Sequence, residues 1–120
     1  PTEWTEETNI QRNQMRLALH LNIAQCALKC GRWDEAVHHT TFALKTQPGS
    51  VKALYRRALA HFSKPVHANG LQFALEDLSR AAELEPQNKE VAKLLVEVRQ
   101  AQKKLDRAQS SMYSKMLAGA

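Results

Sequence analysis

Lys52 and Arg56 stand four residues apart in the run Val51-Lys52-Ala53-Leu54-Tyr55-Arg56-Arg57-Ala58, and Asn22 lies thirty residues before Lys52. On a helix, residues four apart share a face, so the two cations point the same way. Arg offers two parallel donors, Lys a point charge and Asn a neutral amide donor. A carboxylate accepts several such bonds at once, and each charge-assisted one contributes roughly 1.5–3 kcal/mol when partly desolvated. The chemistry indicated is capture of an anion, not catalysis. The chain shows no Ser/His/Asp set, no Gly-rich phosphate loop and no carboxylate pair on one face, so neither catalytic residues nor a cofactor are expected.

The remaining reactive side chains read as structural. His38 and His39 are adjacent, so they should point to different sides of one helix and share no metal. His61 falls at a packing position, and His20 and His67 have no ligand-like spacing. Cys26 and Cys30, four apart on one predicted helix, rise in parallel and are poorly placed for a disulfide. A metal site would need two more ligands. Reduced, partly buried thiols are expected.

The elements that position these residues are helical. Ala, Leu, Lys, Glu, Gln and Arg dominate the 120 residues, 43% are hydrophobic, and the four Gly and four Pro are widely spaced. The first helix should run over about 6–30 with Thr5 as N-cap, the second over 33–46 and the third over 50–63 with Ser50 as N-cap. The fourth should cover 71–85. A last helix should start near Asn88 and reach about 117, some 45 Å long.

Self-comparison organises the helices. Ala36 recurs as Ala74, Ala43 as Ala81 and Pro48 as Pro86, all at one constant offset along the chain. Upstream, Leu19 matches Ala53 and Ala24 matches Ala58 at a shorter offset, and the difference is a four-residue insertion in the second unit, within 63–70. The small residues Ala24, Ala36, Ala43, Ala58, Ala74 and Ala81 let helix axes approach closely. Trp33 should fill the gap beside a turn, and Pro48 and Pro86 end the helices before them.

This pattern resembles the tetratricopeptide (TPR) repeat, which implies an all-α helical solenoid with a long C-terminal capping helix. Its segments would be an N-terminal extension, helical continuation or remnant of a preceding repeat (1–16), a TPR unit (17–50), a second unit with the insertion (51–88) and the capping helix (89–120). Solenoids need about three units to bury a continuous core, so an upstream repeat is expected in a longer parent protein. In such a stack the first helix of each unit lines the concave face. That face should carry Ala18, Asn22, Gln25 and Lys29, then Lys52, Arg56, Leu59 and Ser63. It should be polar and positive.

A narrower resemblance rests on Leu21-Asn22-Ile23-Ala24, Lys52-Ala53-Leu54-Tyr55-Arg56-Arg57 and Tyr113-Ser114-Lys115-Met116-Leu117. These look like the TPR domain of the large immunophilins, prolyl isomerases of the FK506-binding and cyclophilin types. The resemblance implies that Asn22, Lys52 and Arg56 belong to a two-carboxylate clamp for the Met-Glu-Glu-Val-Asp tail of heat-shock protein 90, with Gln25, Lys29, Leu59 and Ser63 lining the groove. The clamp would be partial, because its Lys and Asn on an earlier repeat have no counterpart here. The isomerase domain is also absent, so this chain is expected not to be an enzyme. A cytoplasmic location, with the nucleus as a second compartment, goes with that reading.

The net charge is +5, and from Lys89 onward seven Lys/Arg stand against three Asp/Glu. Tyr113 is the only aromatic in that stretch, which argues against nucleic acid. No apolar run reaches membrane length. The basic last helix over 98–117 could take calmodulin, an activity the resemblance also implies. The alternative function is a structural or assembly module. In it, the apolar edge near Ile10, Met15 and Leu17, or the last helix, packs on another subunit or domain, self-association included.

Overall fold

The structure is a computed structural model that describes residues 5–65 and 69–119. The first four residues of the N-terminal extension, His67 with the middle of the insertion (66–68) and Ala120 lie outside the described residues. Among the described residues five helices follow one another: α1 (Glu6–Lys29), α2 (Trp33–Thr46), α3 (Val51–Ser63), α4 (Gly70–Leu84) and α5 (Lys89–Ala118). Each packs on the next, and α3 also touches α1 and α5, which sets α1, α3 and α5 side by side.

Local chemistry sets the helix ends. Thr5, Ser50 and Asn88 accept bonds from the backbone N–H of Thr8, Ala53 and Val91 at 3.1, 3.2 and 3.1 Å, satisfying donors left open at the first turn. The turns after α2 and α4 are equivalent: Ser50 N–H donates to the Gln47 carbonyl and Asn88 N–H to the Glu85 carbonyl, both at 3.1 Å. The α1–α2 turn is different. Gly31 N–H donates to the Leu28 carbonyl and Arg32 N–H to the Ala27 carbonyl, with Gly31 at φ +73°. This is a Schellman end, which requires the left-handed conformation that glycine adopts without strain.

The six alanines of the repeat pattern are all fully buried, as are Ala53 and Ala60. The main core gathers Val51, Leu54, Ala58, Ala74, Leu78 and Ala81 with Val91, Leu94, Leu95 and Val98 of α5. Beyond Val98 no described residue of α5 is buried, and Leu105, Met112, Met116 and Leu117 are exposed. The first part of α5 therefore covers the end of the stack, and the rest projects, giving a molecule 77 Å long.

Two ion pairs hold the second unit, one within it and one to the first unit. Arg57 grips Asp77 with two bonds, Nε to Oδ2 at 2.7 Å and Nη2 to Oδ1 at 2.8 Å, and its Nη1 donates to Thr41 at 3.3 Å. Asp77 is buried, and its hydrogen bond holds the Arg57 guanidinium above its ordinary pKa against the opposing effect of burial. Lys64, at the start of the insertion, meets Asp34 of α2 at 2.8 Å.

The histidines differ from the expected arrangement. His20 and His39 share a hydrogen bond between their Nδ1 atoms at 2.9 Å, joining α1 to α2, and Phe42 stacks on His20. The His38 and His39 rings, expected on different sides of the helix, lie edge to face 5.2 Å apart: His38 packs edge-on to Phe42, and His39 leans to His20, which stacks on that phenylalanine. Cys26 and Cys30 are free thiols as expected, but exposed, not partly buried. The buried face of α1 runs through Ala24 and Ala27, and the cysteines lie off it.

Gly31→Ala should cost about 1 kcal/mol by urea unfolding, since a Cβ there is strained by the left-handed backbone. Gly49→Ala, with open space around it and no positive φ, is the control and should be near neutral. His39 titrates below its usual value of 6.5 because burial, then His20 and His38, oppose its charge, with Glu35 partly offsetting them. Below about pH 6.5 the unfolded chain binds more protons than the folded one, so stability falls as pH drops through 6.5 toward the lowered folded value. The melting temperature should therefore decline on acidification over this range, and His39→Gln should flatten that part of the profile.

Candidate functional site

Between α3, the end of α1 and the start of α5 lies a recess of about 470 Å³. Gln25 enters it from α1; Val51, Lys52, Tyr55, Arg56 and Leu59 from α3; Glu85, Asn88 and Glu90 from the α4–α5 turn and α5. The structure thus brings together four of the sequence-derived residues: Gln25, Lys52, Arg56 and Leu59. Asn22 does not line this recess. It is exposed on α1 in a second hollow of about 520 Å³, with Arg12, Met15, Arg16, Ala18 and Leu19. Lys29 is exposed in the last turn of α1, and Ser63 is the half-buried last residue of α3; neither lines the recess.

The two cations are held differently. Arg56 is half-buried and its Nη1 donates to the Leu21 carbonyl at 2.8 Å, which anchors the guanidinium against α1 next to Asn22. Burial lowers its pKa from the ordinary arginine value, and arginine remains charged at any physiological pH. Lys52 is exposed. No ion pair joins Lys52 or Arg56 to an acid among the described residues. Tyr55 lies between them on α3, and its hydroxyl titrates above its usual value because of burial first and then Glu90 and Glu97.

The groove is not uniformly positive, as the stripes on α1 and α3 suggested. Glu85 and Glu90 make its far side acidic. Sequence reasoning missed these two because it considered only the cationic stripes. A signal was present: Glu90 follows Lys52 at the same offset that separates Pro86 from Pro48. Among the described residues no group of three or more His, Cys, Asp or Glu could hold a metal. Among them, too, no helix is long and apolar enough to cross a membrane.

Two other surfaces matter to the expectations above. The apolar edge on α1 consists of exposed Ile10, Met15 and Leu19, with Leu17 turned partly inward. On the basic last helix, Leu105, Met112 and Met116 are open to solvent.

No family model matches the chain. It is 32% identical over 112 residues, 93% of its length, to FK506-binding protein 59 of Drosophila melanogaster, and spans 25% of that protein. The C-terminal TPR-containing domain of a Plasmodium falciparum putative FK506-binding protein superposes on 88% of this chain and 68% of its own, with a TM-score of 0.77 and 25% identity. The chain is a TPR domain of the large-immunophilin type. It is an interaction module and not an enzyme. A further neighbour, the first TPR of Spaghetti (RPAP3) bound to the HSP90 peptide SRMEEVD, covers 71% of this chain and 64% of its own with a TM-score of 0.65 and 28% identity.

Arg56→Ala removes one hydrogen bond to a carbonyl and should cost about 1 kcal/mol of stability. Lys52→Ala should stay within about 0.5 kcal/mol of the parent. Denaturant unfolding of both variants checks this, and a much larger loss for Lys52→Ala would show that it is part of the core.

Proposed function

We propose that this immunophilin-type TPR module docks the acidic C-terminal tail of heat-shock protein 90, ending Met-Glu-Glu-Val-Asp, with Lys52 and Arg56 as carboxylate ligands and Asn22 as a flanking amide. The observation that carries the reading is the pair Lys52–Arg56 in one recess, with Arg56 oriented by the Leu21 carbonyl and neither cation paired to an acid among the described residues. The likeness to a TPR solved with a heat-shock protein 90 peptide supports it. Gln25 and Leu59 line the recess beside the two cations, opposite the acidic wall of Glu85 and Glu90, while Lys29 and Ser63 stand outside it. On this reading, a longer immunophilin isomerase would be brought to its chaperone by the module, with an earlier repeat completing the clamp.

Calorimetric titration with Ser-Arg-Met-Glu-Glu-Val-Asp and with its C-terminal amide tests the proposal. The free acid should bind, and added salt should weaken it. Lys52→Ala and Arg56→Ala should each lose about tenfold, the equivalent of about 1.4 kcal/mol. Equal binding of acid and amide, or unchanged binding by the double variant, would overturn the assignment.

A further inference from the structure

We propose that the α4–α5 side of the groove reads a positive charge in the ligand. The module would then take acid-ended peptides that carry a basic residue about three positions upstream of the carboxylate held by Lys52 and Arg56. This deepens the carboxylate reading above and rests on it.

The charges along the groove are ordered. Ala18 on α1, Lys52 on α3 and Glu90 on α5 occupy matching register positions of the repeat, so a neutral, a cationic and an anionic site follow one another across adjacent helices. Glu90 and Glu85 line the same recess as Lys52 and Arg56. Glu85 is set in place: the Asn88 side chain donates to its Oε1 at 3.0 Å, and Asn88 is itself fixed by capping α5. Among the described residues no ion pair bridges the two walls, so both charges remain available to a ligand. The raised pKa of Tyr55, owed in part to Glu90, agrees with a negative field on this side.

Helices packed side by side lie about 8–10 Å apart. An extended peptide advances about 3.3 Å per residue. Groups facing α3 and α5 are therefore separated by about three residues. A purely acidic peptide crossing the recess would meet two carboxylates after its own carboxylate was bound. A lysine or arginine at that point turns the repulsion into attraction. The plainer role for Glu90 is to complement the positive start of α5, and for Glu85 to support the cap. Those roles act on stability and are blind to ligand charge.

The test compares Ser-Arg-Met-Arg-Glu-Val-Asp, whose second arginine stands three positions before the terminal aspartate, with two versions in which that second arginine is alanine or glutamate. Each is titrated against this chain and against the Glu85→Gln/Glu90→Gln variant, with circular dichroism confirming the fold. Against the unaltered chain, replacing that arginine by glutamate should weaken binding about fivefold, the upper end for partly exposed charge pairs. Against the variant the loss should shrink to less than about twofold, and the glutamate peptide should bind the variant more tightly than it binds the unaltered chain. The same loss on both proteins, or no loss on either, overturns the inference and leaves the carboxylate reading standing. Failure of every free-acid peptide to bind better than its amide overturns that reading, and the inference with it.

Discussion

Close approach of helix axes at Ala24, Ala36, Ala43, Ala58, Ala74 and Ala81 is the constraint on which the rest of this structure depends. Each of these residues has no exposed surface. A larger side chain at any of them would force neighbouring helices apart, at a typical cost of about 1–3 kcal/mol for overpacking. The consequence reaches the surface. Because α2 and α4 sit tightly behind them, α1, α3 and α5 come side by side, and the recess holding Lys52, Arg56 and Glu90 forms where they meet. The site is a product of backbone spacing before it is a product of charge.

The insertion in the second unit leaves that spacing intact. Loop closure entropy grows slowly with length, so four extra residues cost little by themselves. Arg57 and Asp77 then join α3 to α4 by two parallel bonds in a largely buried setting, and Thr41 of α2 adds a third contact. Lys64 meets Asp34 at the near side of the insertion, an exposed pair of modest strength. Removing one partner of Arg57–Asp77 would strand a charge where water is scarce, which is far more costly than losing the surface pair.

Much of this was legible in the sequence because it is local. Caps at Thr5 and Ser50, the stops at Pro48 and Pro86 and the long last helix follow from a few neighbouring residues each. The buried alanines followed from a repeat, which is local information read twice. Pairings between elements were not legible in the same way. His20 meets His39 across nineteen residues and Arg57 meets Asp77 across twenty, and nothing in either neighbourhood names the partner. The cysteines came out exposed because burial depends on how far round α1 its neighbours reach. The candidate site divided along the same line. Lys52 and Arg56 share a helical face by spacing alone, whereas placing Asn22 in a different hollow from theirs, and an acidic wall opposite them, required the packing of α1 and α5.

The length of α5 gives its packing a mechanical meaning. From Val98, its last buried residue, to Ala118 the helix extends about 30 Å with no buried contact among the described residues to restrain it. Its direction is therefore set at one end, by Val91, Leu94, Leu95 and Val98. A tilt of about 10° at that base would swing the tip by about 5 Å over this length. Glu90 lies on the same rigid rod, at its anchored end and inside the groove. Any ligand that leans on that wall acts on the short arm of a lever whose long arm carries Met112, Tyr113 and Met116 through solvent.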